Sequence, residues 1–316
     1  MTPLKITCVE KDILLDQAFH FDFPVEYTEY GCLTQQELYD KVHQQDVIIV
    51  SDLTVDQQVL DNNPDLKLVA LCSTGFDHID VPLLQSKNIK VCNIRGYAGD
   101  AVAEHAFLMM MHLIKNFSSQ INAVGTGDWS KGQTSFYLAA PIRELKGKTL
   151  VILGKGEIGL ALAEKAHAFG LQVVFSERQG AKVCREGYVP FEQAITQADI
   201  LSLHCELNAQ TSGLINHEVL SRLKKGCILV NVGRGGLLNN NDVIEALNNN
   251  TLGGLGVDVL DVEPPPEHHP LLTLQHPNVL ITAHIAWATD EAQQRLFAIL
   301  QDNINSNIAG VAKNLV

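Results

Sequence analysis

One nine-residue run, Val151-Ile152-Leu153-Gly154-Lys155-Gly156-Glu157-Ile158-Gly159, limits the folds open to this chain more than any other segment. It leads an apolar strand straight into a G-x-G-x-x-G turn. An amphipathic stretch with Leu162, Ala163, Ala166 and Phe169 follows, closed by Gly170. A second strand then runs from Gln172 to Ser176 and ends in an acid, Glu177. This order of parts suits a dinucleotide. Gly154 allows the tight turn, Gly156 lets the backbone approach a pyrophosphate, and Gly159 lets the helix lie against the strand. The N–H groups of the first helical turn then face the anion. Glu177 stands where a carboxylate accepts both ribose hydroxyls and repels a 2′-phosphate, so NAD(H) is expected over NADP(H). Arg178, beside it, is the residue that could pair with such a phosphate.

The same alternation extends through the chain. Strand-like runs at 4–9, 46–51, 66–71 and 89–93 are separated by polar or amphipathic stretches such as 35–43 and 80–87. A second series follows at 149–153, 172–177, 199–204, 227–232, 255–259 and 279–283. Near-continuous apolar strands with helices between them indicate parallel sheets covered on both faces. A length of 316 residues is too great for one core of this kind. The expected fold is therefore α/β with two doubly wound parallel-sheet domains, a Rossmann cofactor domain and a flavodoxin-like substrate domain. Long helices are expected over 101–123 and 289–308, with the chain crossing between domains near 95–101 and 285–290. The boundaries that follow are 1–99 plus 288–316 for the substrate domain and 100–287 for the NAD-binding domain. A ligand is expected in the cleft between them.

Bulk properties exclude several classes. A formal charge of −13, with no Lys/Arg block, argues against a nucleic-acid partner. No targeting segment or long apolar span appears, which argues against a membrane and for a cytoplasmic protein. Seven cysteines lack C-x-x-C spacing, so they read as buried thiols in a reducing compartment rather than as a metal site.

Four further clusters carry chemistry. Arg234 lies between glycines after an apolar strand, where its planar fork matches a carboxylate; the bland alternative is a surface arginine on a loop. Asp258 ends another strand, and Glu263 precedes a proline turn, where a capping acid is the ordinary explanation. His284 ends a third strand; beside a carboxylate it becomes a proton donor with a raised pKa. Thr74 and Gly75 follow the strand ending at Leu71, and their N–H groups could hold an anion. Hydride transfer to a 2-keto acid needs a cation for the carboxylate and an acid for the oxygen, and Arg234, Glu263 and His284 supply both without a metal.

In this order the clusters resemble the D-isomer-specific 2-hydroxyacid dehydrogenases along nearly the whole chain. The likeness rests on Ser73 to Asp80, Val91 to Tyr97, Ala101 to His105, the glycine turn, Asn231 to Gly235, Asp258 to Pro264 and the histidine segment. Gly127-Asp128-Trp129, Pro141 to Leu145 and His284 to Trp287 look most like the glycerate dehydrogenase (hydroxypyruvate reductase) branch. The resemblance implies that Arg234 binds the substrate carboxylate and keto oxygen, that His284 is the general acid and base, and that Glu263 orients it. It implies cofactor contacts at Gly154, Gly156, Glu157, Ile158, Gly159, Glu177, Val102, Gly233 and Asp258, and substrate contacts at Thr74 and Gly75. Trp287 is suspected of shaping the pocket. A homodimer is implied too, with the helix that begins near Ala101 in its interface. Departures are Ala283 in place of a usual proline, Glu206 where proline is common, and Gly233 for a frequent alanine. The expected reaction is reduction of small 2-keto acids, hydroxypyruvate or glyoxylate favoured. The alternatives are a nucleotide-sensing, corepressor-like binding protein, or a relative such as D-lactate or phosphoglycerate dehydrogenase.

Overall fold

The computed structural model describes residues 2–14 and 17–316. The chain divides into two compact bodies: one takes it as far as Ala98 and again from Ala288, the other holds Gly99–Trp287.

The first body is built on a parallel sheet of β1 (Leu4–Cys8), β2 (Val25–Glu29), β3 (Val47–Val50), β4 (Leu68–Leu71) and β5 (Lys90–Cys92). Their order is β2-β1-β3-β4-β5, the flavodoxin-like winding. β3 and β4 read VIIV and LVAL and are buried at every position, as central strands covered on both faces must be. β2 is the strand that periodicity did not reveal. It lies at the edge with the sequence VEYTE, and no side chain in it is fully buried, so its charged residues carry no apolar signature. The last helix, Asp290–Ile308, belongs to this body and is capped by Thr289. Its buried Asn303 donates to the Asn93 carbonyl at 2.8 Å, and Arg295 donates to the Tyr97 carbonyl at 2.8 Å.

The second body contains β6 (Thr149–Leu153), β7 (Gln172–Ser176), β8 (Ile200–Leu203), β9 (Cys227–Asn231), β10 (Leu252–Val257) and β11 (Val279–Ile281), ordered β11-β10-β9-β8-β6-β7. Val189 adds a parallel bridge to Ser176 outside β7. Counting that bridge as a vestigial third strand gives the Rossmann order, with the winding reversed between β6 and β8. Ligands of such sheets bind outside the strand carboxyl ends at that reversal. Leu153, Leu201, Leu203, Leu229 and Val257 form the centre of one apolar cluster beneath it, so the strand ends are fixed by a packed core.

The single long helix expected over 101–123 is two helices, Gly99–Ile114 and Phe117–Gly125. Asn116 stops the first by taking a left-handed conformation (φ 46°, ψ 46°) that asparagine tolerates better than most residues. The cysteine expectation also needs correction. Cys32 and Cys184 are exposed, whereas Cys8, Cys72, Cys92 and Cys227 are buried and Cys205 partly so. Burial pushes the Cys227 thiol up to about 12, which leaves it inert.

Candidate active site

The glycine turn has the shape a pyrophosphate needs. Gly154 has φ +107°, and a Cβ there would stand 2.3 Å from the His204 carbonyl oxygen, so β6 and β8 approach too closely at the reversal for any side chain. A Cβ on Gly159 would lie 2.1 Å from the Gly154 oxygen, whereas beside Gly156 the space is open. The helix Glu157–Ala168 starts at Gly156 with no side chain capping its N–H groups. An uncapped N-terminus beside open space fits a bound anion. His204 borders the same reversal. Its Nε2 lies 2.8 Å from Ser202 Oγ, while its buried Nδ1 has no partner among the described residues. Burial pushes its pKa down to about 4, so the ring is neutral.

Glu177 is at the carboxyl end of β7, as expected, but its surroundings were not foreseen. Only 4% of the side chain is exposed, and Arg185 holds it through Nε at 2.7 Å and Nη2 at 2.6 Å. The Arg178 and Arg185 backbone amides donate to it as well. The Arg185 hydrogen bonds, chiefly, hold its pKa down at about 2. Arg178, the cation singled out from sequence, is exposed and meets Glu177 through its amide. Arg185, eight positions beyond the acid, had no short-range signal to mark it.

At the other end of the sheet the catalytic candidates converge. Asn231 ends β9 fully buried and wraps the turn that follows: its Oδ1 accepts from Gly233 N at 3.1 Å and its Nδ2 donates to the Arg234 carbonyl at 2.9 Å. Arg234 is thereby fixed at its backbone, and its Nη1 donates to the Gly233 carbonyl. A Cβ on Gly235 would fall 1.9 Å from the Leu260 carbonyl carbon, so glycine there lets the arginine loop close on the 258–263 loop. At Gly233 an added methyl meets ordinary contact distances of 3.4 Å and more, so alanine is tolerable in that place.

Asp258 is 1% exposed and organises the histidine loop. Its Oδ1 accepts from Thr282 Oγ1 at 2.5 Å and Ile285 N at 3.0 Å, and its Oδ2 from Ala286 N at 2.8 Å. Its carbonyl accepts from His284 N at 2.7 Å. His105, from the helix Gly99–Ile114, adds a contact of 3.0 Å to Thr282 Oγ1. These bonds hold His284 at φ +55°, a left-handed conformation uncommon for a residue with a side chain. The imidazole is thereby presented outward, with Nδ1 2.7 Å from Glu263 Oε2. Glu263 in turn accepts from Leu260 N at 2.7 Å. The Glu263 hydrogen bond, against the opposing effect of burial, raises the His284 pKa, and the Arg234 charge lowers it somewhat. Burial favours neutral Glu263, but the bonds from His284 and Leu260 overcome it and hold the carboxyl below its ordinary range.

The structure therefore brings Arg234, Glu263, His284 and Asp258 together in one body. Asn231, Thr282 and His105 are supporting residues that sequence reasoning did not single out. Val102 is buried in the helix Gly99–Ile114, and Trp287 is half-buried. In the first body, Thr74 Oγ1 donates to the Ile94 carbonyl and the Thr74 carbonyl accepts from Asn93 Nδ2. Among the described residues the amides of Thr74 and Gly75 donate to no protein acceptor.

This arrangement can be set beside known proteins. The profile of the family described as D-isomer specific 2-hydroxyacid dehydrogenase, NAD binding domain, matches residues 107–286. A glycerate dehydrogenase of Methylorubrum extorquens is 34% identical over 313 residues, covering 99% of this chain and 98% of its own. A glyoxylate reductase of Thermococcus litoralis is 33% identical over 287 residues, covering 88% and 86%. Among solved structures, an NADPH-dependent glyoxylate/hydroxypyruvate reductase of Sinorhizobium meliloti, in complex with NADP and malonate, aligns with a TM-score of 0.83. It is 26% identical and covers 100% of this chain and 97% of that one.

Proposed function

The chain belongs to the family of D-isomer specific 2-hydroxyacid dehydrogenases, and from that premise we propose that it reduces small 2-keto acids to D-2-hydroxy acids, with hydroxypyruvate and glyoxylate the favoured substrates. The observation that carries this reading is the 2.7 Å hydrogen bond between His284 and Glu263, with Arg234 close enough to influence both. The names of the relatives support the substrate class.

The nicotinamide, when bound, supplies the hydride that goes to C2. His284 carries the matching proton on Nε2, because Nδ1 is turned to Glu263, and gives it to the substrate oxygen; in the oxidative direction it takes the proton back. Arg234 pairs with the carboxylate and draws negative charge onto the oxygen as it is protonated. We assign Thr74 and Gly75 to the carboxylate through their amides, and Trp287 to the pocket wall. Gly154, Gly156, Glu157, Ile158 and Gly159 take the pyrophosphate, and Glu177 belongs to the adenosine end. Val102 and Gly233 flank the nicotinamide. Asp258 Oδ2 accepts a single bond from the protein, which leaves an acceptor position suited to the carboxamide.

Steady-state oxidation of NADH and NADPH with hydroxypyruvate, glyoxylate, pyruvate and phosphohydroxypyruvate tests the reading. Turnover with the first two is expected; none with any keto acid would favour a nucleotide-sensing binding protein instead.

Glu263→Gln should alter pH dependence more than binding. Reduction needs protonated His284, so the rate is high below the histidine pKa and falls as pH rises through it. Glu263 raises that pKa, so its neutral replacement moves the falling limb to lower pH. An unchanged pH profile of kcat/KM would break the assigned pairing.

We also propose a homodimer in the cytoplasm. Phe117, Ile121, Val124, Phe136, Leu138 and Ile142 are exposed apolar residues concentrated within 117–142, a segment that a second copy could cover. No described helix is long and apolar enough to cross a membrane. Light scattering should give twice the mass of one chain, and a monomeric mass would refute the assembly. Cell fractionation tests the compartment.

A further inference from the structure

The adenosine end of the dinucleotide site is built differently from a bare ribose-binding acid. A carboxylate offers about four acceptor positions, two on each oxygen. Glu177 fills four: Oε1 accepts from Arg178 N at 2.8 Å and Arg185 Nη2 at 2.6 Å, and Oε2 from Arg185 N at 3.1 Å and Arg185 Nε at 2.7 Å. Two ribose hydroxyls cannot both be accepted while that arrangement stands. The acid is buried, while Arg185 is half exposed. Its guanidinium lies 4.1 Å over the Tyr188 ring, which fixes its plane. Two of its five N–H groups serve Glu177, leaving the others for a ligand. A second cation is anchored beside it. Lys155, inside the glycine turn, stands 5.0 Å from the Phe175 ring centroid and 5.2 Å from that of Tyr188. Arg178 is exposed at the next position after the acid.

We propose that Arg185 determines cofactor preference: by masking Glu177 and turning its remaining N–H groups outward, it lets the site accept NADPH beside NADH. Glu177 then competes with a phosphate for the guanidinium and is itself masked, so it does not exclude the phosphate. The chemistry recognised is a phosphate monoester on the ribose 2′ oxygen, met by a planar fork and a neighbouring ammonium. The inference rests on the dinucleotide reading of the glycine turn and is independent of which keto acid is reduced.

The test is binding, read by nicotinamide fluorescence without any keto acid, so that a failed substrate assignment leaves it standing. The wild-type protein should bind NADPH and NADH within about tenfold of one another. Adenosine 2′,5′-bisphosphate should displace either better than 5′-AMP. Arg185→Gln should weaken NADPH by about tenfold or more and leave NADH unchanged or tighter. Glu177→Gln should act in the opposite sense, tightening NADPH, because the freed fork keeps its charge. A merely structural role would lower both cofactors together in both variants. That outcome overturns the proposal, as does a wild-type protein that binds NADPH more than about tenfold more weakly than NADH.

Discussion

His284→Ala is expected to lower keto-acid reduction by about 10²–10⁴-fold, the range that a positioned proton donor contributes. That corresponds to about 3–5 kcal/mol of barrier. The cofactor should still bind, because the glycine turn and the Glu177 region lie at other strand ends and do not depend on the imidazole. The left-handed backbone at position 284 calls for a companion variant. His284→Asn suits that backbone better than alanine and removes the same proton, so it should be equally inactive while melting nearer to the wild type. Turnover by stopped-flow and NADH affinity by fluorescence titration check both variants. Near-normal turnover in either would remove His284 from the reaction.

Arg234→Ala is expected to lower kcat/KM by about 10²–10³-fold, since in the proposed mechanism Arg234 is both the partner of the carboxylate and the charge that faces the reacting oxygen. The Asn231 bonds to the turn involve main-chain atoms and survive the substitution, so the loop should keep its shape. Arg234→Lys retains a charge but not a fork, and partial recovery is expected. A second readout separates this loss from simple damage. The Arg234 charge lowers the His284 pKa, so removing it should carry the falling limb of the pH profile upward. Glu263→Gln carries the same limb downward. Opposite movements in the two variants would place both charges on one imidazole; movement in the same sense would refute the assignment.

The parts of the molecule legible in the sequence were those written in local patterns. Buried parallel strands such as β3 and β9 announce themselves as apolar runs, and the glycine turn announces its own backbone. Edge elements did not. β2 is half in water, and the vestigial strand at Val189 is a single bridge. The break at Asn116 was hidden because a left-handed residue leaves no gap in hydrophobic periodicity. At the site, Arg234, Glu263 and His284 could be marked as candidates from their places after strands together with the family resemblance, and the structure brings them together. Their support was not. Asp258 holding the histidine loop, Asn231 wrapping the arginine turn and Arg185 covering Glu177 are tertiary pairings between residues whose separate neighbourhoods say nothing of one another.

The return of the last helix to the first body has a consequence for how the protein is made. During synthesis the segment up to Ala98 leaves the ribosome before the middle body, yet the helix that donates to the Asn93 and Tyr97 carbonyls is translated after it. The middle body, contiguous in sequence, is complete before then, so the first body should be the later of the two to mature. Chains truncated after residue 287 and released should accordingly show protease resistance in the middle body and cleavage before it; equal resistance throughout would contradict this order.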